Sequence, residues 1–173
     1  MRTLGVSIVL LFVAAVAVMR GPLSAFQAAP ADTAAMKTFA SAADVQALMA
    51  KAKAERKEGQ ASAGGHILSL APYNINLEYR PIDGPVSVHE KEAELIYVLD
   101  GAGTLITGGT VVGEKRTNAT NLSGTAIEGG TTQAFSKGDV TIIPQGTPHQ
   151  FKPANGALVL MTMHVPRPVP SAQ

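Results

Sequence analysis

The chain contains no cysteine and no tryptophan, and its aromatic residues amount to three tyrosines and five phenylalanines. Without cysteine there are no disulfides and no thiolate ligands, so any metal must be held by nitrogen and oxygen. So few rings argue against a stacking platform for nucleobases or long sugars. Positive charge is scarce as well. The formal net charge is +1 and no Lys/Arg-rich run occurs, which argues against nucleic acid or an anionic membrane surface as partner. What is present suffices for one domain: 173 residues, 46% of them apolar, can enclose a core of ordinary size.

The longest apolar run lies at the N-terminus, from Leu4 to Met19, opened by Met1-Arg2 and closed by Arg20-Gly21-Pro22. Small residues follow at Ala25, Ala28, Ala29 and Ala31. This is the pattern of an export signal over residues 1–29, and its core is shorter than the roughly 20 residues a membrane span needs. The expectation is an exported protein, periplasmic or secreted, with no membrane association after cleavage. Loss of Arg2 and Arg20 leaves twelve basic and thirteen acidic residues, a nearly neutral mature chain.

A linker and one amphipathic helix are expected over residues 30–64. Ser41 can cap the helix with Asp44 three residues on, and Val45, Leu48, Met49 and Ala52 fall on one face. The helix is expected from Ala42 to Glu58, ending at Gly59, and it needs a sheet or a partner subunit to lie on.

From about residue 65 the pattern changes to short β-prone segments. In NINLEY, Ile75, Leu77 and Tyr79 alternate with Asn74, Asn76 and Glu78, the period of a half-buried strand. HILSLA, SVHE, ELIYVLD, GTLITGG, QAFS, DVTIIP, HQFKP and ALVLMTMHV are further strands, with turns at PIDGP, DGAG, SKGD, PQGTP and PANG. Many short strands with glycine turns and a single helix define an all-β sandwich or barrel. Residues 108–132, bracketed by two Gly-Gly pairs, are either a long excursion or a hairpin with a loose tip. Asn118 and Asn121 each begin an Asn-x-Ser/Thr sequon, which matters only in a eukaryotic secretory pathway.

Two stretches, GPVSVHEKEAELIYVLDG and KGDVTIIPQGTPHQF, resemble the paired motifs of the cupins. His89, Glu94 and Gly101 hold the first motif's spacing, and Gly138, Pro144, Gly146 and His149 hold the second's. Ser87 stands where the family's first histidine would be, Pro81 replaces the leading glycine and Pro153 the closing asparagine. The resemblance implies a cupin-type double-stranded β-helix barrel, jelly-roll-like, over residues 65–166, with a short tail at 167–173. It implies His89, Glu94 and His149 as ligands of a divalent transition metal, Fe, Mn, Ni or Zn. Two imidazoles and a carboxylate suit such ions and leave positions open for substrate or water.

Strand periodicity puts Ser87 on the same face as His89, so it is an additional ligand or pocket residue if His89 points inward. Either Met163 or His164 faces inward on the last strand, and an inward His164 would substitute for the missing histidine. His66 sits at the start of the first strand and is a weaker candidate, while Glu90, Lys91 and Glu92 read as a charged rim. Ile96, Val98, Leu105, Phe135 and Ile142 are expected to line the interior. Two function classes follow: a metal-dependent enzyme of dioxygenase or lyase/isomerase type acting on a small oxygen-rich molecule, or a non-catalytic cupin that binds a small molecule or a partner. The resemblance also implies a homodimer.

Overall fold

The computed structural model describes residues 36–167. The expected signal over residues 1–29, the first part of the linker and most of the tail lie outside the described residues. The helix α1 spans Ala42–Glu55 and opens with a reciprocal capping box. The Ser41 N–H donates to Asp44 Oδ2 at 2.8 Å and the Asp44 N–H donates to Ser41 Oγ at 3.2 Å. The Ser41 N–H, contributing most, and the Ser41 hydroxyl, which donates to Asp44 Oδ2 at 2.9 Å, hold the Asp44 carboxyl below its ordinary value. The helix ends three residues before the expected Glu58. Beyond Arg56 the chain prefers a local turn, in which Arg56 Nε donates to the Gln60 carbonyl at 2.7 Å and Gly59 adopts φ +74°.

Eleven strands follow: β1 Ala63–Leu70, β2 Tyr73–Arg80, β3 Val86–His89, β4 Glu92–Thr107, β5 Thr110–Val112, β6 Lys115–Arg116, β7 Asn121–Gly124, β8 Ala126–Glu128, β9 Thr131–Ser136, β10 Val140–Ile143 and β11 His149–Pro166. The turns expected at DGAG and PANG do not break the chain. Each is a bend inside one long strand, β4 or β11, and the two bends face each other with Ala102 opposite Ala154. Gly101 at φ +83° and Gly156 at φ +123° absorb the change of direction. A Cβ on Gly101 would strike the Ala157 carbonyl, so this position requires glycine for space as well as for conformation.

Because β4 and β11 bend together, they belong to two leaves. One leaf runs β1-β2-β11-β4-β10 and the other β6-β7-β3-β11-β4-β9, every pairing antiparallel. Ile96, Val98, Ile143, Leu158 and Leu160 from the first leaf meet Leu105, Phe135 and Phe151 from the second in one core. The expectation that Ile142 lines this interior is corrected. Ile142 is 59% exposed and its neighbour Ile143 is 2% exposed, because alternation on β10 sends Val140 and Ile142 outward together. On the outer face of the first leaf, Val45, Leu48, Met49 and Ala52 of α1 pack against Ile67, Leu77 and Val159.

Residues 108–132 are not a loose tip. They form four short strands: β5 pairs with β8, β6 pairs with β7, and β7 extends the second leaf by pairing with β3.

Candidate metal centre

Glu94 is the hub of the site. It sits third in β4, 3% exposed, directly across the ladder from His164 of β11. His89 ends β3 and His149 begins β11, so two strands, β3 and β11, deliver three imidazoles to the carboxylate carried by a third, β4. His149 Nε2 lies 3.0 Å and His89 Nε2 3.6 Å from Glu94 Oε2, and His164 Nε2 lies 3.9 Å from Glu94 Oε1. Donor atoms of His89, Glu94 and His164 all fall within 4.8 Å of one another. The ring centroids of His89 and His164 are 4.3 Å apart, and those of His89 and His149 are 5.2 Å apart.

Each imidazole is held from behind. His89 Nδ1 donates to Asn121 Oδ1 at 2.9 Å, His149 Nδ1 to the Thr147 carbonyl at 3.1 Å, and His164 Nδ1 to Glu92 Oε2 at 2.9 Å. An acceptor oxygen at Nδ1 places the proton there and leaves the Nε2 lone pair free. All three free lone pairs lie on the Glu94 side. The Gly146 N–H, set by φ +70° in the second motif, donates to the His89 carbonyl at 2.7 Å and ties the two motifs together.

The donor set fits a metal ion. Glu94 Oε2 is buried without a hydrogen bond, although His149 Nε2 is only 3.0 Å away, because the ring nitrogen does not present a proton along that line. Ligands about 2.0–2.2 Å from one ion stand roughly 3–4 Å from each other, the range in which each imidazole Nε2 stands from the Glu94 carboxylate. Nitrogen and carboxylate oxygen are donors for first-row transition ions. Burial would raise the Glu94 carboxyl, but the imidazoles, once they carry a proton on Nε2, outweigh this through a His149 hydrogen bond and their positive charge and hold it below its ordinary value. Burial holds His89 below the ordinary imidazole value, despite the opposing pull of the Asn121 bond and the Glu94 charge.

The structure thus gathers His89 and His149 around the Glu94 carboxylate and turns His164, rather than Met163, toward it. Ser87 lies across the ladder from His149, half-buried, on the strand face shared with His89. His66 is far from this group in the fold, bonded to Asn76 on β2 at 2.7 Å. Of the expected rim, Glu90 pairs with Arg116 at 2.7 Å, but Glu92 belongs to the site as the carboxylate behind His164. Asn121 stood out in the sequence only as the start of a sequon, and the Thr147 carbonyl not at all. No local pattern marks either as part of the site, since an Asn 32 residues along the chain and a backbone oxygen reach the imidazoles only through pairing.

The chain has the double-stranded β-helix fold that its cupin-like motifs imply. No family model matches the chain, and no curated protein matches it. Among solved structures it is similar to TT1209 from Thermus thermophilus, at 18% identity over 72% of this chain and 96% of that one, with TM-score 0.50. It is also similar to the hydroquinone 1,2-dioxygenase PnpCD, solved with Cd2+ and 4-hydroxybenzonitrile, at 15% identity over 64% of this chain and 68% of that one, with TM-score 0.50. The Cnp3 cupin domain of Schizosaccharomyces pombe shares 16% identity over 62% of this chain and 63% of that one, with TM-score 0.47.

Proposed function

We propose that this chain is an exported metal-binding cupin, and an enzyme acting on a small oxygen-rich molecule by dioxygenase or lyase/isomerase chemistry. One observation carries the reading: a buried carboxylate stands among three Nε2 atoms whose Nδ1 partners are all engaged, so the unmet donor atoms of the cluster point inward. His89, Glu94, His149 and His164 would hold the ion. A bound divalent transition ion such as Fe, Mn, Ni or Zn would supply Lewis acidity toward a carbonyl or enolate oxygen, or activation of O2. Glu94 supplies the anionic charge, the three rings are pre-oriented, and Phe151, with its ring 5.8 Å from His149, begins the dry wall below them. The presence of a Cd2+-bound hydroquinone dioxygenase among the similar structures is consistent with this chemistry. Export is supported by the apolar segment Leu4 to Met19 and the small residues beyond it.

Metal analysis of the purified wild type is expected to find about one transition ion per chain, and Glu94→Ala and His149→Ala to lose it while keeping the β-rich circular dichroism. A wild type that takes up no stoichiometric metal under any divalent ion sinks the reading. Bound metal with no turnover across small hydroxy and keto compounds would leave the non-catalytic alternative, a binding protein, in its place. The reading includes a homodimer, supported by Val140 and Ile142 at 66% and 59% exposure on edge strand β10, beside half-exposed Tyr97. A monomeric mass by light scattering removes that part.

A further inference from the structure

The segment between residues 108 and 132 is fastened to the strand that carries His89 at every level. Backbone pairing joins Val86–His89 to Asn121–Gly124, and the Glu90 N–H donates to the Thr120 carbonyl at 2.9 Å. At the rim, Arg116 donates through both terminal nitrogens to the Glu90 carboxylate, at 2.7 and 3.1 Å. The turn between β6 and β7 is itself ordered, with Asn118 Oδ1 accepting from the Thr120 N–H at 2.9 Å and the Thr117 N–H donating to the Asn121 carbonyl at 3.0 Å. These contacts hold the segment in place. One more, from Asn121 Oδ1 to His89 Nδ1, reaches the site.

We propose that Asn121 is a positioning residue of the metal centre, and that the 108–132 segment serves to deliver it behind His89. This rests on the metal-binding reading above. The need for such a residue comes from Glu94. A neutral His89 has two tautomers, and a carboxylate 3.6 Å from Nε2 favours the one with the proton on Nε2, which cannot ligate. His149 answers the same problem with a backbone carbonyl and His164 with the Glu92 carboxylate. His89 has neither, and with its side chain 16% exposed water is a poor substitute. The Asn121 amide oxygen moves the proton to Nδ1 and turns the Nε2 lone pair toward Glu94. Asn121, which the sequence marks only as the start of a sequon, thereby has its amide oxygen committed to the site.

The tautomer can be read without metal. Long-range 15N–1H correlation spectra of the apo full-length protein are expected to show His89 protonated on Nδ1, and Asn121→Leu to shift it to Nε2 or to a mixture. Competition titration with Zn2+ is expected to show Asn121→Leu weakened about 10–100-fold, the scale for loss of a group that orients a ligand. Asn121→Asp, which keeps an acceptor at the same place, should bind at least as tightly as wild type, separating orientation from damage to the fold. Protonation of wild-type His89 on Nε2, or an Asn121→Leu variant with unchanged tautomer and unchanged affinity, overturns the proposal. Should the wild type bind no metal, the metal reading fails, while the apo spectra still decide whether Asn121 sets the tautomer.

Discussion

His164 stands directly opposite Glu94 on the β4–β11 ladder, with Nε2 3.9 Å from Glu94 Oε1 and Nδ1 2.9 Å from Glu92. Ser87, at the position of the first-motif histidine, lies across from His149 on another strand of the same site. The third imidazole therefore approaches from the first leaf instead of from β3. Its Glu92 partner makes it the ring with a carboxylate behind it, an arrangement that raises the basicity of a ligating nitrogen.

This relocation is testable by moving the ligand back. His164→Ala should weaken Ni2+ or Zn2+ binding by more than the 10–100-fold typical of an orienting residue, since a ligand itself is lost. Adding Ser87→His to that variant should recover part of the affinity, because residue 87 shares a strand face with His89. Isothermal titration of the three proteins checks both steps. Unchanged affinity in His164→Ala would mean that the ring is only a neighbour of the site.

The titration of the cluster sets a second expectation. Burial holds His89 below its ordinary value of 6.5. The unfolded chain therefore binds more protons than the folded one between 6.5 and that lowered value, and stability falls as pH drops through this window while remaining complete above it. Glu94, held below its ordinary 4.5, contributes stability that is present above 4.5 and lost as pH falls through its folded value. Both groups make acid destabilising. The apo protein should show a flat Tm above about pH 7 and a decline below 6.5, and His89→Gln should flatten the first part of that decline. A Tm that rises on acidification from pH 7 to pH 6 contradicts the assignment.

Much of this was legible in the sequence, and the exceptions share a cause. Period-two alternation and glycine turns gave an all-β chain, and the spacing of Glu94, Gly101, Gly138, Gly146 and His149 gave the cupin resemblance. Those glycines are indeed at positive φ, the conformation such turns demand. The inward face of His164 could not be counted from His149. They are fifteen residues apart on one strand, an odd number that simple alternation sends to opposite faces, and the irregularity between Ala154 and Val159 resets the register. Ile142 and Ile143 posed the same problem, two adjacent isoleucines of which only pairing with β4 decides the inner one. Glu92 read as rim because its partner lies 72 residues away. Parity across a bend and distant partners are properties of pairing, not of local composition.

One buried group below the site has no partner among the described residues. Thr162 is 0% exposed, on the strand face between Leu160 and His164, and its Oγ1 makes no hydrogen bond with the described residues. An unsatisfied buried polar atom costs about 1–3 kcal/mol, whereas a methyl group of the same shape in that place costs nothing to desolvate. Thr162→Val keeps the branched outline that the strand favours and removes the hydroxyl. It should therefore raise stability by about 1 kcal/mol, a few degrees in Tm, with metal affinity unchanged because the hydroxyl is not among the donor atoms around Glu94. Denaturant unfolding and a Zn2+ titration of the variant measure the two quantities separately. A loss of stability would mean that the hydroxyl finds a buried water in solution, and a loss of affinity would place it in contact with what the metal centre holds.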